Sequence, residues 1–251
     1  MVELAHAHVE PRWCVREMIV AADGLRLAAL LFSPPAPPRG ALLICHGAGS
    51  TKENHAIMAE QAAAAGLAAM VFDFRGHGAS DGAMDAGGEH DVIACGEALA
   101  SASRAPWLAA RGSSMGANSM LRAAHARPGL FRSLVVLCPA DEAALLRGLD
   151  ALRRPAARDD PDAGQFGRFD QKSLRRLLST SSIVEIARGL PRVLLAHAFD
   201  DASVPFSVSL ELACVVTPPT RLIALAEGGH RGPQRSPEVA RATLEWVIEN
   251  G

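Results

Sequence analysis

Three side chains that lie far apart in the sequence, Ser114, Asp201 and His230, have the types that nucleophilic catalysis requires. A serine hydroxyl attacks poorly until a base removes its proton, and the base in turn needs a group that orients it. In such a set, His230 would accept the Ser114 proton and later return it to the leaving group, while Asp201 would fix the imidazole tautomer and stabilise the imidazolium. We therefore predict that these residues form a catalytic triad.

The residues around Ser114 are those of a sharp turn between a strand and a helix. The motif Gly112-x-Ser114-x-Gly116 follows the largely apolar residues 107–111 and precedes an alanine-rich run with helical spacing. Such a turn holds the serine in a strained conformation above the sheet, and glycines are needed on both sides because a Cβ there would clash. Since the motif is short, the alternative is a serine in a glycine turn that only joins two elements.

Backbone N–H groups near Ser114 could bind the negative charge that develops during the reaction. Met115 begins the predicted helix, whose first N–H groups are free and lie at the positive end of the helix dipole. Ala48 lies in another loop, between Gly47 and Gly49, which allow the backbone to approach closely. We predict that the N–H groups of Met115 and Ala48 form an oxyanion hole.

The elements that must position these residues alternate between strand and helix. The predicted strands cover residues 15–20, 25–32, 41–45, 67–72, 107–111, 134–138, 193–198 and 222–226, and the predicted helices cover 56–65, 91–103, 115–127, 208–214 and 237–249. The first two strands form a hairpin around Asp23-Gly24. The alternation predicts an α/β fold with a doubly wound, mostly parallel sheet of about eight strands. Ligands of such sheets bind at the carboxyl ends of the strands, where the loops of Gly47, Asp73 and Ser114 converge.

Residues 139–189 interrupt the alternation and are predicted to form a small helical cap insert. Their leucines have the spacing of short amphipathic helices, whereas residues 156–169 are charged and contain glycine. Because the insert leaves the carboxyl end of a strand, it should lie over Ser114, where Leu174 and Leu177 would bind the substrate. The alternative is an ordinary surface excursion.

The composition indicates a single globular domain over residues 1–251. Hydrophobic residues make up 49% of the chain, and the net charge of -2 gives no reason to expect nucleic acid or an anionic membrane as a partner. The five cysteines form no CxxC pair and no metal-ligand spacing, and most have apolar neighbours, which indicates buried free thiols in a reducing compartment and no metal site. Residues 1–16 lack the apolar core of a signal peptide, and no apolar run is long enough to span a membrane. We expect a cytoplasmic protein without a cofactor, and the sequence leaves open whether it forms a homodimer.

Four motifs together carry a family resemblance. They are His46-Gly47-Ala48-Gly49, Asp73-Phe74-Arg75-Gly76-His77-Gly78, Gly112-x-Ser114-Met115-Gly116, and Asp201-x-x-Val204-Pro205 followed by Gly229-His230. From about Ala41 onwards the chain resembles the α/β-hydrolase superfamily, and it is most similar to the small intracellular branch of feruloyl-esterase-like, monoacylglycerol-lipase-like and lysophospholipase-like enzymes. Residues 196–198 depart from the pattern, because they read Ala-His-Ala where this branch often has His-Gly. The loop before Asp201 is therefore expected to differ slightly.

The resemblance implies the α/β-hydrolase fold and a serine hydrolase that cleaves carboxylic esters of small or medium acyl groups through an acyl-enzyme. The expected partner is then a small-molecule ester. A thioesterase or acyltransferase with the same triad, a hydrolase of C–C or peptide bonds, and a ligand-binding protein without catalysis are the alternatives.

Several residues near the motifs are rivals for these roles. Asp200 is a rival acid, but only Asp201 fits the D-x-x-V-P spacing of the family, and Ser113 is a rival nucleophile without glycines two residues away on both sides. Among the histidines, His46 and His77 are expected to support the loops that contain them. The remaining histidines have no motif context and are interpreted as surface or packing residues: His6, His8, His55, His90, His125 and His197.

Overall fold

The strands form one sheet in the computed structural model, which describes residues 13–152 and 168–251. They are β1 (Cys14–Ala22), β2 (Leu25–Ser33), β3 (Ala41–Cys45), β4 (Ala68–Phe72), β5 (Leu108–Ser113), β6 (Ser133–Leu137), β7 (Pro191–Ala198) and β8 (Thr217–Leu225). The order across the sheet is β1-β2-β4-β3-β5-β6-β7-β8. β2 pairs antiparallel with both of its neighbours, β1 and β4, and all other neighbouring strands pair parallel. The predicted doubly wound, mostly parallel sheet is confirmed.

Both ends of the sheet have local causes in the sequence. Strands β1 and β2 form the predicted hairpin, in which Asp23 and Gly24 adopt positive φ angles of 51° and 78°, as a two-residue turn between twisted strands requires. Strand β8 begins at Thr217, five residues before the predicted start, and contains Pro218 and Pro219. This strand lies at the edge of the sheet and has only one neighbour. A proline is tolerated there because its missing N–H can face away from that neighbour, whereas a central strand needs its N–H groups on both sides.

Helices cover both faces of the sheet. They are α1 (Ala56–Ala64), α2 (Gly88–Ser103), α3 (Met115–Ala126), α4 (Glu142–Ala151), α5 (Gln171–Thr180), α6 (Ile183–Ala187), α7 (Ser207–Val215), α8 (Gly232–Arg235) and α9 (Pro237–Glu249). Buried side chains of α1 and α9 fill the core on one face, and those of α2 to α7 fill the core on the other. Among the described residues, no helix combines the length and apolar character that crossing a bilayer would require.

The predicted insert contributes helices α4, α5 and α6. Each begins where a polar side chain caps free backbone N–H groups: Asp141, Asp170 and Ser182 accept hydrogen bonds from the first turns of α4, α5 and α6. Most of the predicted charged segment 156–169 lies outside the described residues. Near the end of this segment, Arg168 N donates to Gly76 O at 2.8 Å, and this hydrogen bond holds the chain against the loop after β4.

One carboxylate joins the insert to the rest of the fold. Glu142 Oε1 accepts hydrogen bonds from the Arg122 guanidinium at 2.7 Å and from Ile183 N at 2.9 Å. The carboxylate therefore links α3, α4 and α6. Because the Arg122 side chain is buried, this charge-assisted contact is little screened by solvent and holds the cap helices in place over the sheet.

The turn from β5 into α3 brings the helix unusually close to the ends of the neighbouring strands. A Cβ on Gly116 would lie 2.3 Å from His46 O and 2.6 Å from Cys45 O, and a Cβ on Gly112 would lie 2.8 Å from Ala117 Cα. All of these neighbours are backbone atoms, which cannot move without displacing β3 or α3. The two glycines therefore allow α3 to begin directly against the β3 loop.

We predict that Gly116→Ala destabilises the protein by about 1–3 kcal/mol, the usual cost of extra volume in a packed interior. It should also impair the site at Ser114, because the start of α3 must move away from His46. The control is Gly148→Ala in α4, where a Cβ meets no described atom within 4 Å and alanine is the better helix former. Thermal unfolding of both variants checks this, and equal melting temperatures would contradict it.

Candidate active site

Ser114 lies in the predicted sharp turn and has the strained backbone expected there. Its φ and ψ angles are 51° and -120°, a region that residues other than glycine rarely adopt. The conformation is held by hydrogen bonds on both sides, because Ser114 N donates to Leu137 O at 3.0 Å and Ser114 O accepts from Asn118 N at 3.1 Å. The strand end of β6 and the first turn of α3 thus fix the direction of the Ser114 hydroxyl.

The structure brings Ser114, Asp201 and His230 together. His230 Nε2 lies 2.9 Å from Ser114 Oγ, and His230 Nδ1 lies 2.7 Å from Asp201 Oδ2. Since a carboxylate can only accept, Nδ1 carries the proton and Nε2 is free to accept the serine proton. This is the tautomer that a general base next to a serine nucleophile needs.

Asp201 is a buried carboxylate whose two oxygens are both saturated with donors. Oδ1 accepts hydrogen bonds from Ser203 N at 2.8 Å and Val204 N at 2.9 Å. Burial works to raise the pKa of Asp201, but the hydrogen bonds from Val204 N, His230 and Ser203 N outweigh it and lower the pKa below its ordinary value. The Asp201 carboxylate is therefore ionised at neutral pH, as its role beside His230 requires.

His197 is a further partner of Asp201 that the sequence analysis interpreted as a packing residue. Its Nε2 lies 3.0 Å from Asp201 Oδ2 and 3.2 Å from Val204 O, and both of these atoms are acceptors, so Nε2 carries a proton. Its Nδ1 lies 2.8 Å from Ser209 Oγ and accepts the hydroxyl proton. Burial lowers the pKa of His197, so the ring is neutral. The sequence signal was its place four residues before Asp201, at the departure from the family pattern.

Asp200, the rival acid, holds the loop that contains His230. Its carboxylate accepts hydrogen bonds from Gly228 N at 3.1 Å and Gly229 N at 2.8 Å. The side chain is thus turned away from the His230 ring and ties the end of β7 to the loop after β8. The two adjacent aspartates have different positions: Asp201 contacts the imidazole and Asp200 contacts the backbone before it.

The loop after β3 brings Ala48 to the same place. His46 supports this loop, as expected: its Nδ1 donates to Gly47 O at 2.7 Å and its Nε2 accepts from Phe74 N at 3.1 Å. Burial lowers the pKa of His46 to about 4, so this ring also stays neutral. Ala48 and Met115 line one cavity with Ser114, and neither N–H donates to an acceptor among the described residues. Both remain free to bind an oxyanion.

His77 lies in the loop after β4, again as expected from the sequence. Its Nδ1 lies 3.2 Å from Arg75 O, and its ring packs edge-on against Phe169 at 5.4 Å between centroids. Phe169 belongs to the lining of the cavity, so His77 supports the wall rather than the reacting atoms.

A cavity of about 400 Å³ opens in front of Ser114 and His230. Its described lining is almost entirely apolar and comes mainly from the cap: Ala48, Ser114, Met115, Ala140, Ala144, Leu145, Gly148, Leu149, Ala151, Leu152, Phe169, Leu174, Leu178, Ser203, Val204 and His230. The structure brings Leu174 to this cavity but not Leu177, which lines an adjoining space of about 20 Å³ that also contacts Leu174 and Leu178. Leu178 takes the place predicted for Leu177, because the turn of α5 points it in the same direction as Leu174.

The described residues contain one group of side chains that could hold a metal ion, formed by Cys138, Asp201 and His230. The sequence shows no metal-ligand spacing because these residues are far apart in the chain. They meet only through the parallel ends of β6, β7 and β8. Of the cysteines predicted to be buried, Cys138 is buried with Cys45 and Cys95, whereas Cys14 and Cys214 are exposed.

Comparison with known proteins gives a consistent result. Residues 36–156 match the family model described as serine aminopeptidase, S33. The structure is similar to Est1E from Butyrivibrio proteoclasticus with bound ferulic acid (TM-score 0.75, 20% identity, 93% of this chain and 98% of that chain). It is also similar to an esterase of Pyrococcus furiosus (TM-score 0.74, 16% identity, 95% and 92%) and to alpha/beta hydrolase domain-containing protein 10 from mouse (TM-score 0.70, 19% identity, 93% and 97%). No curated protein matches the sequence.

We predict that His197→Phe lowers kcat/KM by about tenfold to a hundredfold, since a hydrogen bond to a charged group contributes about 1.5–3 kcal/mol. Without this donor, Asp201 Oδ2 loses one of the hydrogen bonds that hold the carboxylate beside His230, so the loss should appear mainly in kcat. His197→Asn retains an N–H donor and should recover part of the loss. His125→Phe on the exposed part of α3 is the control. An unchanged kcat in His197→Phe, or a loss that His197→Asn does not recover at all, would show that His197 only fills space.

Proposed function

We propose that this chain, which has the α/β-hydrolase fold, is an enzyme that hydrolyses carboxylic esters of small or medium acyl groups through an acyl-enzyme. One observation carries the proposal. Ser114 Oγ, His230 and Asp201 form a hydrogen-bonded series with distances of 2.9 and 2.7 Å. The Ser114 end of this series faces the apolar cavity of about 400 Å³. A nucleophile, its base and an acyl-sized space are thus adjacent.

In the proposed mechanism, His230 Nε2 takes the Ser114 proton as Oγ attacks the ester carbonyl. The oxyanion accepts hydrogen bonds from Ala48 N and Met115 N, whose positions are fixed before the reaction begins. His230 then gives the proton to the alcohol oxygen, which leaves. A water molecule attacks the acyl-enzyme in the same way, with His230 again as base, and Ser114 is regenerated.

The lining of the cavity favours an acyl group over an amino-terminal residue. An aminopeptidase would need an anionic group to bind the substrate ammonium, and no carboxylate belongs to the described lining. The leucines of α4 and α5 instead offer apolar contact to a hydrocarbon chain or ring. Since Est1E is seen with ferulic acid, an aromatic acyl group is one member of the class to test. Methyl ferulate, p-nitrophenyl esters of increasing chain length and acyl-CoAs therefore form the substrate panel.

A thioesterase or acyltransferase would use the same triad, and the panel separates these activities from ester hydrolysis. Ester hydrolysis predicts turnover of p-nitrophenyl esters with water as the acceptor. A preference for acyl-CoAs would favour a thioesterase. Product esters formed only when an alcohol is added would favour a transferase.

We predict that Ser114→Ala lowers kcat by about 10⁴–10⁶-fold and abolishes labelling by a fluorophosphonate probe, because the triad acts as a unit. Ser113→Ala is a matched control. The Ser113 hydroxyl is buried and has no hydrogen-bond partner among the described residues, so its loss should change neither labelling nor turnover greatly. Retained labelling in Ser114→Ala, or lost labelling in Ser113→Ala, would contradict the assignment of the nucleophile.

We predict that Leu174→Ala changes the chain-length preference, since a methylene in a pocket contributes about 1–3 kcal/mol to discrimination. The relative kcat/KM of long and short acyl esters should shift by about tenfold. Leu177→Ala is the control, because it makes the same change in the same helix but outside the cavity of about 400 Å³. Equal profiles for the two variants would show that Leu174 does not contact the acyl group.

A further inference from the structure

Cys138 lies directly behind the catalytic histidine. It follows β6, is fully buried, and its thiol donates to the backbone carbonyl of His230 at 3.1 Å. One ligand atom each of Cys138, Asp201 and His230 can be chosen so that all lie within 4.8 Å of one another. A thiol, a carboxylate and an imidazole are thus gathered at one point, although ester hydrolysis requires only two of them.

We propose that Cys138, Asp201 and His230 form an inhibitory binding site for a soft divalent cation, with Zn²⁺ as the probe. The inhibition rests on the proposed function of the triad, whereas the binding does not. Zinc takes cysteine sulfur, histidine nitrogen and aspartate oxygen as ligands, in tetrahedral sites with bonds of about 2.0–2.3 Å. Such bonds set neighbouring ligand atoms about 3.3–3.8 Å apart, so the three side chains need to move by only about 1 Å.

The proposed metal site and the proposed catalytic triad both use the space between His230 Nδ1 and Asp201 Oδ2. Without metal, this space holds the proton of His230 Nδ1, which donates to Asp201 Oδ2 at 2.7 Å. Zinc would bind Nδ1 and Oδ2 and take the place of this proton, which moves to Nε2 of the still neutral ring. The Cys138 thiol gives its proton to solvent and binds as a thiolate, and Asp201 is already ionised.

This rearrangement explains why the metal would inhibit. With a proton on Nε2, His230 has no lone pair to accept the proton of Ser114 Oγ, so the base is blocked even if the cavity stays open. The donors to Asp201 that the metal does not displace, His197 Nε2 and the N–H groups of Ser203 and Val204, would continue to orient the carboxylate. Such outer hydrogen bonds strengthen a metal site.

The burial of Cys138 sets the selectivity. The Cys138 thiol is fully buried and donates its proton to His230 O at 3.1 Å, so only a cation with high affinity for sulfur can displace that proton. Hard cations such as Mg²⁺ and Ca²⁺ prefer oxygen ligands and find a single carboxylate here. They should neither bind at this site nor inhibit.

The test compares the full chain with Cys138→Ala and Cys138→Ser. The control is Cys214→Ala, which removes an exposed thiol on α7. Zn²⁺ binding is measured by equilibrium dialysis, and inhibition of ester hydrolysis is expressed relative to each variant without metal. We expect one zinc per chain, inhibition reversed by EDTA, and binding at least about tenfold weaker in both Cys138 variants. Circular dichroism confirms that the variants fold.

Two further measurements separate this proposal from the proposed function. Co²⁺ in place of Zn²⁺ should give a thiolate-to-cobalt charge-transfer band that is absent in Cys138→Ala, and Ser114→Ala should still bind zinc without any turnover. Equal zinc affinity in Cys138→Ala and the unaltered chain, or a cobalt complex without the thiolate band, would overturn the metal site. If the unaltered chain binds zinc but turns over none of the ester panel in the absence of metal, that result would count against the hydrolase alone.

Discussion

The arrangement of the site depends on keeping the buried carboxylate of Asp201 ionised. An isolated charge in such a place would cost far more free energy than folding can supply, and it would neutralise instead. Asp201 remains charged because four donors surround it: two backbone N–H groups and the rings of His197 and His230. These donors come from the strand β7, the turn after it and the loop after β8. The carboxylate therefore orients the base and also fixes the relative position of these segments.

The two parts of the protein that meet at the site have different roles. Parallel strand ends hold Ser114 and Asp201 on rigid backbone, since β5 and β7 are central strands paired on both sides. The cap helices α4 and α5 supply most of the cavity wall, and they are attached through a few polar contacts such as Glu142 with Arg122. In the proposed reaction, the sheet thus positions the reacting groups, whereas the choice of acyl group would depend on the side chains of the cap.

The two potential nucleophiles near His230 have different surroundings. Ser114 Oγ lies 2.9 Å from His230 Nε2 and lines the open cavity of about 400 Å³. Cys138 lies equally close to His230 but donates to its backbone carbonyl, and burial together with the charge of Asp201 raises the pKa of its thiol. The more reactive atom type is therefore held inert, unless a cation displaces its proton.

Local patterns in the sequence were enough to predict most of the fold. The hairpin follows from Asp23-Gly24, and helix α9 has the predicted bounds because Pro237 begins it after a capping serine. The motif around Ser114 predicted its own strained turn, since few residue types tolerate such close backbone contacts. In each case the cause lies within a few residues of the feature, so no knowledge of distant contacts was needed.

Tertiary structure alone decided the features that depend on the direction of a side chain or on a distant neighbour. Leu177 and Leu178 are equally apolar, and only the packing of α5 determines which of them faces the cavity. His197 and Cys138 have no motif of their own, and they join the site because parallel strands end at one edge of the sheet. The sequence by itself therefore determined the elements and the turn around Ser114, while their packing determined which other side chains surround Asp201.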